Sequence, residues 1–155
     1  MNLSEVKDWT AITAGAIALA TLAKSVIEYV KQGAQGRAKQ FSELRVRFKS
    51  DPTFRNICDL LENDSPDLRK VPPGAKIDFL GFYEEIALLV NSRLMKKHVA
   101  HYMFAYYAIR SWESDNFWQN QMNRDSPYWA LFRYFVSQMA EIEKAFQFNP
   151  KGYKL

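Results

Sequence analysis

The sequence predicts an all-α protein in which a long amino-terminal helix precedes a small bundle of about four helices. Apolar side chains recur at three- and four-residue spacing through most of the chain, which is the period of an amphipathic helix. No stretch shows the two-residue alternation typical of a half-buried strand. The 155 residues include only six glycines and six prolines, and a chain of this length has room for one sizeable core.

Composition narrows the class further. Aromatic residues make up 15% of the chain and the formal net charge is +4, a balance that suits a folded protein and argues against disorder. The single cysteine, Cys58, excludes an internal disulfide framework. We expect this thiol to be buried and inert, since the sequence shows no neighbour that would activate it.

The first element is the apolar run from Trp9 to Val30. As a helix, its 22 residues rise about 33 Å, against a hydrocarbon core of about 30 Å. Lys24 is close enough to the Val30 end to reach the membrane interface, and Glu28 is one turn further on, where it can pair with Lys24. A cleavable signal peptide and a helix of a soluble protein are alternative interpretations. We expect one membrane helix, within residues 1–31.

Small residues recur four apart along this run, a spacing that lets two helices approach closely in a membrane. Alanine-rich helices also produce such pairs by chance. Together with the two charged residues, they predict a packing surface towards other membrane subunits or a second copy of the chain. The predicted packing residues are Ala11, Ala14, Gly15, Ala18, Lys24 and Glu28.

A basic juxtamembrane helix is predicted over residues 32–50, with Glu43 as its only acid and an apolar stripe at Phe41, Leu44 and Phe48. Because the other flank of the apolar run is nearly balanced in charge, the positive-inside rule places the amino terminus outside and the bundle in the cytoplasm. Each cation near an anionic membrane contributes about 1 kcal/mol. The predicted contacts with anionic lipid headgroups are Lys31, Arg37, Lys39, Arg45, Arg47 and Lys49.

The helical bundle is predicted over residues 51–148, followed by a tail at 149–155. Asp51 and Pro52 form a start signal, in which the aspartate caps and the proline takes the first helical position. A proline-rich loop and a break near Asn91 and Ser92 separate the helices that follow. The predicted elements are a helix at 53–62, a loop at 63–76, helices at 77–94 and 96–114, a loop at 115–129 and a last helix at 127–146.

Aromatic residues are dense in the carboxyl-terminal half. Tyr102, Tyr106, Phe132 and Phe135 follow helical stripes and are expected in the core. Others fit the stripes poorly and are expected on an exposed surface, where Trp and Tyr anchor protein partners. This predicted partner surface consists of Tyr107, Trp112, Phe117 and Trp118. The basic residues cluster elsewhere in the chain, so nucleic-acid binding is not expected.

The sequence contains few candidate metal-binding or catalytic residues. His98 and His101 share one helix face, and Glu84 and Glu85 lie on the preceding helix, but the Glu-x-x-His motif of paired-helix metal sites is missing. We expect a solvated or hydrogen-bonded histidine pair and no metal. There is no phosphate-binding loop, dinucleotide turn or nucleophile elbow. We therefore expect no enzyme activity, no cofactor and no small-molecule substrate.

Two stretches, AKQFSELRVRFKSDPTFRNICDLLEND and KIDFLGFYEEIALLVNSRLMKKHVAHYMF, follow one another in the chain. Their order resembles a bacterial family of unassigned function, whose members have one amino-terminal membrane helix and a helical cytosolic domain. The resemblance covers about Gly36 to Trp112. It implies a bacterial origin and membrane attachment, and it brings no catalytic residues.

These patterns lead to one functional hypothesis and two alternatives. The hypothesis is a single-pass, membrane-anchored interaction protein of the bacterial inner membrane, either an accessory subunit of a membrane complex or a self-associating protein. The first alternative is a soluble helical binding module whose amino-terminal helix docks on a partner. The second is a membrane-acting defence or toxin effector, in which Lys24 and Glu28 line an oligomeric assembly.

Overall fold

The structure is a computed structural model that describes residues 3–119 and 122–145, with side chains described from Thr21 onward except at 26, 29, 30 and 34. All regular structure in these residues is helical, which confirms the predicted all-α class. The helices are α1 (Leu3–Ser50), α2 (Pro52–Glu62), α3 (Pro73–Asn91), α4 (Lys97–Glu113), α5 (Asp115–Trp118) and α6 (Ala130–Lys144). Two short 3-10 helices, Pro66–Lys70 and Pro127–Trp129, complete the described elements.

The chain divides into two compact units, Met1–Gln40 and Phe41–Leu155. The division falls inside α1, so the last turns of that helix belong to the same unit as the bundle. Phe41, Leu44 and Phe48, the apolar stripe predicted for this stretch, all join the core of the second unit. The predicted juxtamembrane helix covers residues 32–50, and the division between the two units lies within that stretch.

The first unit carries the predicted membrane helix. The predicted packing residues Ala11, Ala14, Gly15 and Ala18 lie outside the residues whose side chains the structure describes. Within the described residues, none of the helices has the length and apolar character needed to span a membrane. Lys24 Nζ and Glu28 Oε1 are 3.9 Å apart and both side chains are exposed, so the predicted pairing is present as a solvated ion pair.

Helix α2 begins where the sequence predicts. The Asp51 carboxylate accepts hydrogen bonds from the backbone N–H groups of Thr53, at 2.8 Å, and Phe54, at 3.2 Å. Pro52 occupies the first helical position, where its missing N–H costs nothing. The cap places α2 directly after α1 and directs Phe54 into the core.

Replacing Asp51 with alanine is expected to lower the free energy of unfolding by about 1 kcal/mol, because two amide groups at the start of α2 lose their acceptor. Urea unfolding of the full chain would measure the change. Asn56→Ala, at an exposed position in the middle of the same helix, is the matched control and should be neutral to slightly stabilising, because alanine is the better helix former. Equal effects at the two positions would show that the cap does not stabilise α2.

Aromatic rings from four helices meet around Phe82 in the core of the second unit. The ring of Phe82 lies 5.2 Å from Phe48, 5.5 Å from Phe54 and 5.7 Å from Phe104, measured between centroids. Helix α6 packs on α3 and α4, and its Phe132 and Phe135 are buried as predicted. The end of α1 is therefore held to the bundle by ring contacts through Phe48.

The segment 115–129 was predicted as a loop, and it contains helix α5 and a 3-10 helix. Ser114 begins α5 by accepting a hydrogen bond from the N–H of Phe117 at 3.0 Å. At the other end, the ammonium of Lys76 donates to the carbonyl of Phe117 at 2.6 Å. These two contacts close a single helical turn that is too short to show a periodic pattern in the sequence.

Two tyrosines expected in the core lie on the surface. Tyr102 and Tyr106 are 56% and 50% exposed. Helix α4 has aromatic residues on several faces, so the apolar stripe alone does not identify the inner one. The buried face is instead formed by smaller residues together with Phe104, including Ala100, Ala105 and Ala108.

Candidate functional site

A groove of about 470 Å³ lies between the end of α1, helix α2 and helix α4. The buried and half-buried side chains of Phe48, Cys58, Met103 and Phe104 form its floor. The exposed side chains at its rim are three cations and one carboxylate, and two tyrosines line it from α4. We call this site the basic groove; its rim residues are Arg45, Lys49, Arg55, Asp59, Tyr106 and Tyr107.

The helical period explains why these residues meet. Each of the three helices contributes two side chains one turn apart, which therefore share one face. On α1 these are Arg45 and Lys49, and on α2 they are Arg55 and Asp59. Helix α4 contributes Met103 and Tyr107 by the same spacing. None of these three pairs indicates a site by itself. The packing of the three helices brings the pairs together around one groove.

Aromatic contacts hold the floor of the basic groove in place. The centroid of the Phe48 ring lies 6.1 Å from those of Tyr83, Phe104 and Tyr107. Two of these contacts are edge-to-face, the arrangement that the ring quadrupole favours. Because Phe104 and Tyr83 are buried, the floor is part of the core and presents a fixed apolar surface.

Cys58 is buried in the groove floor. Burial, together with the nearby carboxylates of Asp59 and Glu62, raises the pKa of the Cys58 thiol to about 12. A thiol with such a pKa is uncharged at neutral pH, and the thiolate is the nucleophilic form. Cys58 therefore acts as a small apolar residue here, in agreement with the predicted buried and inert thiol.

A hydrogen-bond cluster around Glu62 fixes the tyrosine side of the groove. The Tyr107 hydroxyl donates to Glu62 Oε1 at 2.6 Å and the Tyr106 hydroxyl donates to Oε2 at 3.0 Å. These two bonds hold the pKa of the Glu62 carboxyl below its usual value. Burial, followed by the bond to Glu62, raises the pKa of Tyr107, so both tyrosines remain protonated donors.

Arg110 connects this cluster to the end of α2. Its guanidinium donates to the carbonyls of Leu61, at 3.2 Å, and Glu62, at 2.9 Å, which have no intrahelical partner at a helix end. The same guanidinium lies 4.6 Å from the centroid of the Tyr106 ring. The sequence gives no sign of this cluster, because Tyr107 is 45 residues from Glu62 and the residues follow no motif.

The predicted headgroup residues separate into two groups. Lys31, Lys39, Arg45 and Lys49 are exposed, and Arg37 is half-buried. Arg47 is different, since its guanidinium donates to both carboxylate oxygens of Glu85, at 2.9 and 2.8 Å. It also lies 5.6 Å from the Phe82 ring centroid. Arg47 thus binds within its own unit, with the Glu85 carboxylate as its partner.

The prediction that the partner surface is an exposed patch is wrong. Phe117 is fully buried and Trp118 is 6% exposed, because helix α5 packs against the 3-10 helix Pro66–Lys70. Tyr107 and Trp112 are half-buried and pack against the core. The guanidinium of Arg124 covers the two tryptophans, 5.9 Å from each ring. Tyr107 lines a concave surface, as part of the basic groove.

The histidines do not form a metal cluster in the described part of the chain. His101 is buried, and its Nε2 lies 2.5 Å from Oε2 of Glu143 on α6. No group of three or more His, Cys, Asp or Glu side chains within the described residues could hold a metal ion. His101 thus joins α4 to α6 through a hydrogen bond to an exposed carboxylate.

Comparison with protein-family models, with curated proteins and with solved structures finds no match to this chain. Function is therefore inferred from the chemistry of the basic groove and of α1.

Proposed function

We propose that the chain is a single-pass, membrane-anchored helical interaction protein of a bacterial inner membrane, with its bundle in the cytoplasm. It acts by contact and not by catalysis, as an accessory subunit of a membrane complex or by associating with further copies of itself. The observation that carries this proposal is the row of exposed cations on α1 after the alanine-rich run. Lys31, Lys39, Arg45 and Lys49 all present their charge to solvent.

Exposed aliphatic side chains on the same helix support the anchor. Leu22 is 61% exposed and Ile27 is 66% exposed, and both lie near the carboxyl end of the alanine-rich run. Large apolar side chains grouped on a helix gain from cover by lipid or by another helix. Lys24 and Glu28, on the same turns, already form an ion pair, which lowers the cost of bringing their charges close to lipid.

The basic side chains add an electrostatic contribution. Each cation near an anionic bilayer contributes about 1 kcal/mol, and this attraction weakens as salt screens it. Arg45 and Lys49 make no ion pair within the described residues, so they can contact headgroups without first breaking one, whereas Arg47 is paired with Glu85. The anchor and the cations together would keep the bundle at the membrane surface.

Carbonate extraction of bacterial membranes tests the anchor directly. The full chain is expected in the membrane pellet, and Leu19→Lys is expected to move it to the supernatant, because a lysine at the centre of a span costs about 2.5–3.5 kcal/mol. Leu88→Lys, at a site on α3 that is 56% exposed, is the matched control and should stay in the pellet.

Release of the unmodified chain by carbonate would show that the anchor is wrong and would favour a soluble binding module. Purification in mild detergent then separates the two forms of the proposal. A reproducible set of co-purifying membrane subunits indicates an accessory subunit, and a homo-oligomer alone indicates self-association. Dye leakage on expression, abolished by Gly15→Leu, would instead indicate a membrane-acting effector.

A further inference from the structure

We propose that the basic groove binds a single-chain lipid with an anionic head group, one molecule at a time. This inference goes beyond the proposed function, since it requires neither the membrane helix nor a protein partner. The sequence alone indicated no small-molecule ligand, because the three helices that form the groove are far apart in the chain. The ligand class follows from the size of the groove, its floor and its charge.

The size of the groove suits a small molecule. Its volume of about 470 Å³ falls within the range of about 300–1,000 Å³ typical of ligand pockets. Ten residues line it, whereas a stable protein–protein interface uses about 20–30 residues on each side. The groove is therefore large enough for a lipid chain and too small to be a complete docking surface for a folded partner.

The floor is suited to an aliphatic chain. Phe48, Met103 and Phe104 present carbon and sulfur surface to the groove, and Cys58 is an uncharged thiol beside them. Methionine is flexible and polarizable, so Met103 can adjust to a chain of variable shape. The two tyrosines add amphipathic rings whose hydroxyls are already bonded to Glu62. A purely polar anion would leave this apolar surface uncovered.

The rim is suited to an anion. Arg45, Lys49 and Arg55 surround the groove, with Asp59 as the single carboxylate among its lining residues. In the described part of the chain none of the three cations makes an ion pair. Arg45 and Lys49 are also one helical turn apart, a spacing at which like charges repel. A carboxylate or phosphate between them would relieve this repulsion, and a cationic or neutral head group would not.

Photolabelling of the purified full chain tests the proposal whether or not the anchor inserts. The probe is dodecanoate with a diazirine on its chain, and labelled peptides are identified by mass spectrometry. We expect labelling of the α2 and α4 peptides that contain Cys58 and Met103. Unlabelled dodecyl phosphate should compete, while inorganic phosphate, dodecyl maltoside and dodecyltrimethylammonium should compete at least about tenfold more weakly.

A charge-neutralised variant gives the matched comparison. Arg45→Gln, Lys49→Gln and Arg55→Gln combined should reduce groove labelling about tenfold or more. Arg93→Gln, Lys97→Gln and Arg133→Gln combined, at exposed sites outside the groove, should leave labelling unchanged. All six side chains are exposed, so both variants are expected to fold, which circular dichroism would verify.

Three results would overturn the proposal. They are labelling of the chain without preference for the groove peptides, equal labelling of the two triple variants, and equal competition by maltoside and phosphate head groups. Labelling confined to residues 9–30 is one case of the first result, and it would leave the membrane anchor supported. Groove labelling of a chain that carbonate releases from membranes would support the lipid site and contradict the anchor.

Discussion

Replacing Phe82 with alanine is expected to lower the free energy of unfolding by about 3–5 kcal/mol, which is a large part of the stability of a domain of this size. The Phe82 ring is fully buried and contacts aromatic rings from α1, α2 and α4 at the same time. Its removal leaves a cavity bordered by three helices. The end of α1 also loses one of its ring contacts with the bundle, since Phe48 stacks on Phe82.

Thermal or urea unfolding of the full chain, followed by far-UV circular dichroism, would measure this loss. Tyr128→Ala is a suitable control, because that aromatic side chain is 85% exposed and its removal should change stability by no more than about 0.5 kcal/mol. Similar effects of the two substitutions would mean that the aromatic cluster around Phe82 is not the stabilising core of the bundle.

Removing Lys76 is expected to have the second largest effect. Lys76 is 1% exposed, and its ammonium donates to the backbone carbonyls of Phe117, at 2.6 Å, and Gln119, at 3.4 Å. Lys76→Ala should cost about 2–4 kcal/mol, because it leaves a cavity in place of the stem and leaves a buried carbonyl without a donor. Lys76→Met keeps the stem volume and should cost about 1 kcal/mol.

The stabilisation that Lys76 contributes to the folded chain should also increase with pH. Burial lowers the pKa of Lys76 in the folded chain, whereas the pKa of a lysine in the unfolded chain is about 10.4. Between these two values the unfolded chain binds more protons than the folded chain, so stability rises with pH. The difference in stability between the unmodified chain and Lys76→Met should therefore grow as pH approaches about 10.4.

Urea unfolding at a series of pH values from neutral upward would test this, with Lys97→Met as an exposed-lysine control. The tyrosines titrate in the unmodified chain, in Lys76→Met and in Lys97→Met alike. Their effect therefore cancels when the free energies of unfolding are subtracted. A Lys76→Met difference that stays constant with pH would contradict a lowered pKa for Lys76. A cost of Lys76→Ala no larger than that of Lys97→Ala would show that the link between α3 and α5 does not stabilise the fold.

Several helix boundaries could be predicted because their signals are local. Asp51 and Pro52 begin α2 through hydrogen bonds and a fixed backbone angle that involve only adjacent residues. The break at Asn91 and Ser92 is present as well, at the end of α3. The stripe of Phe41, Leu44 and Phe48 identified the inner face of α1 in the second unit, since a 3.6-residue period is visible in one short segment.

The predictions from sequence were wrong for side chains whose position depends on residues far away in the chain. Phe117 and Trp118 were expected to be exposed because a four-residue helix has no readable period, yet Lys76 and Arg124 hold this segment against the core. Tyr106 was expected to be buried because it follows a stripe. Instead its hydroxyl binds Glu62 on α2, 44 residues earlier, and its ring stays at the surface.

The sequence by itself determined the all-α class, the Asp51 cap, several of the helix boundaries and the presence of two kinds of segment, one alanine-rich and one basic. These properties depend on hydrogen bonds within a few residues and on the spacing of apolar side chains, both of which can be read along the chain. Only the tertiary structure decided that Arg45, Arg55 and Tyr107 border one groove, or that Arg47 binds Glu85. The rotation and pairing of helices depend on how many side chains fill a shared core at once, and no single segment contains that information.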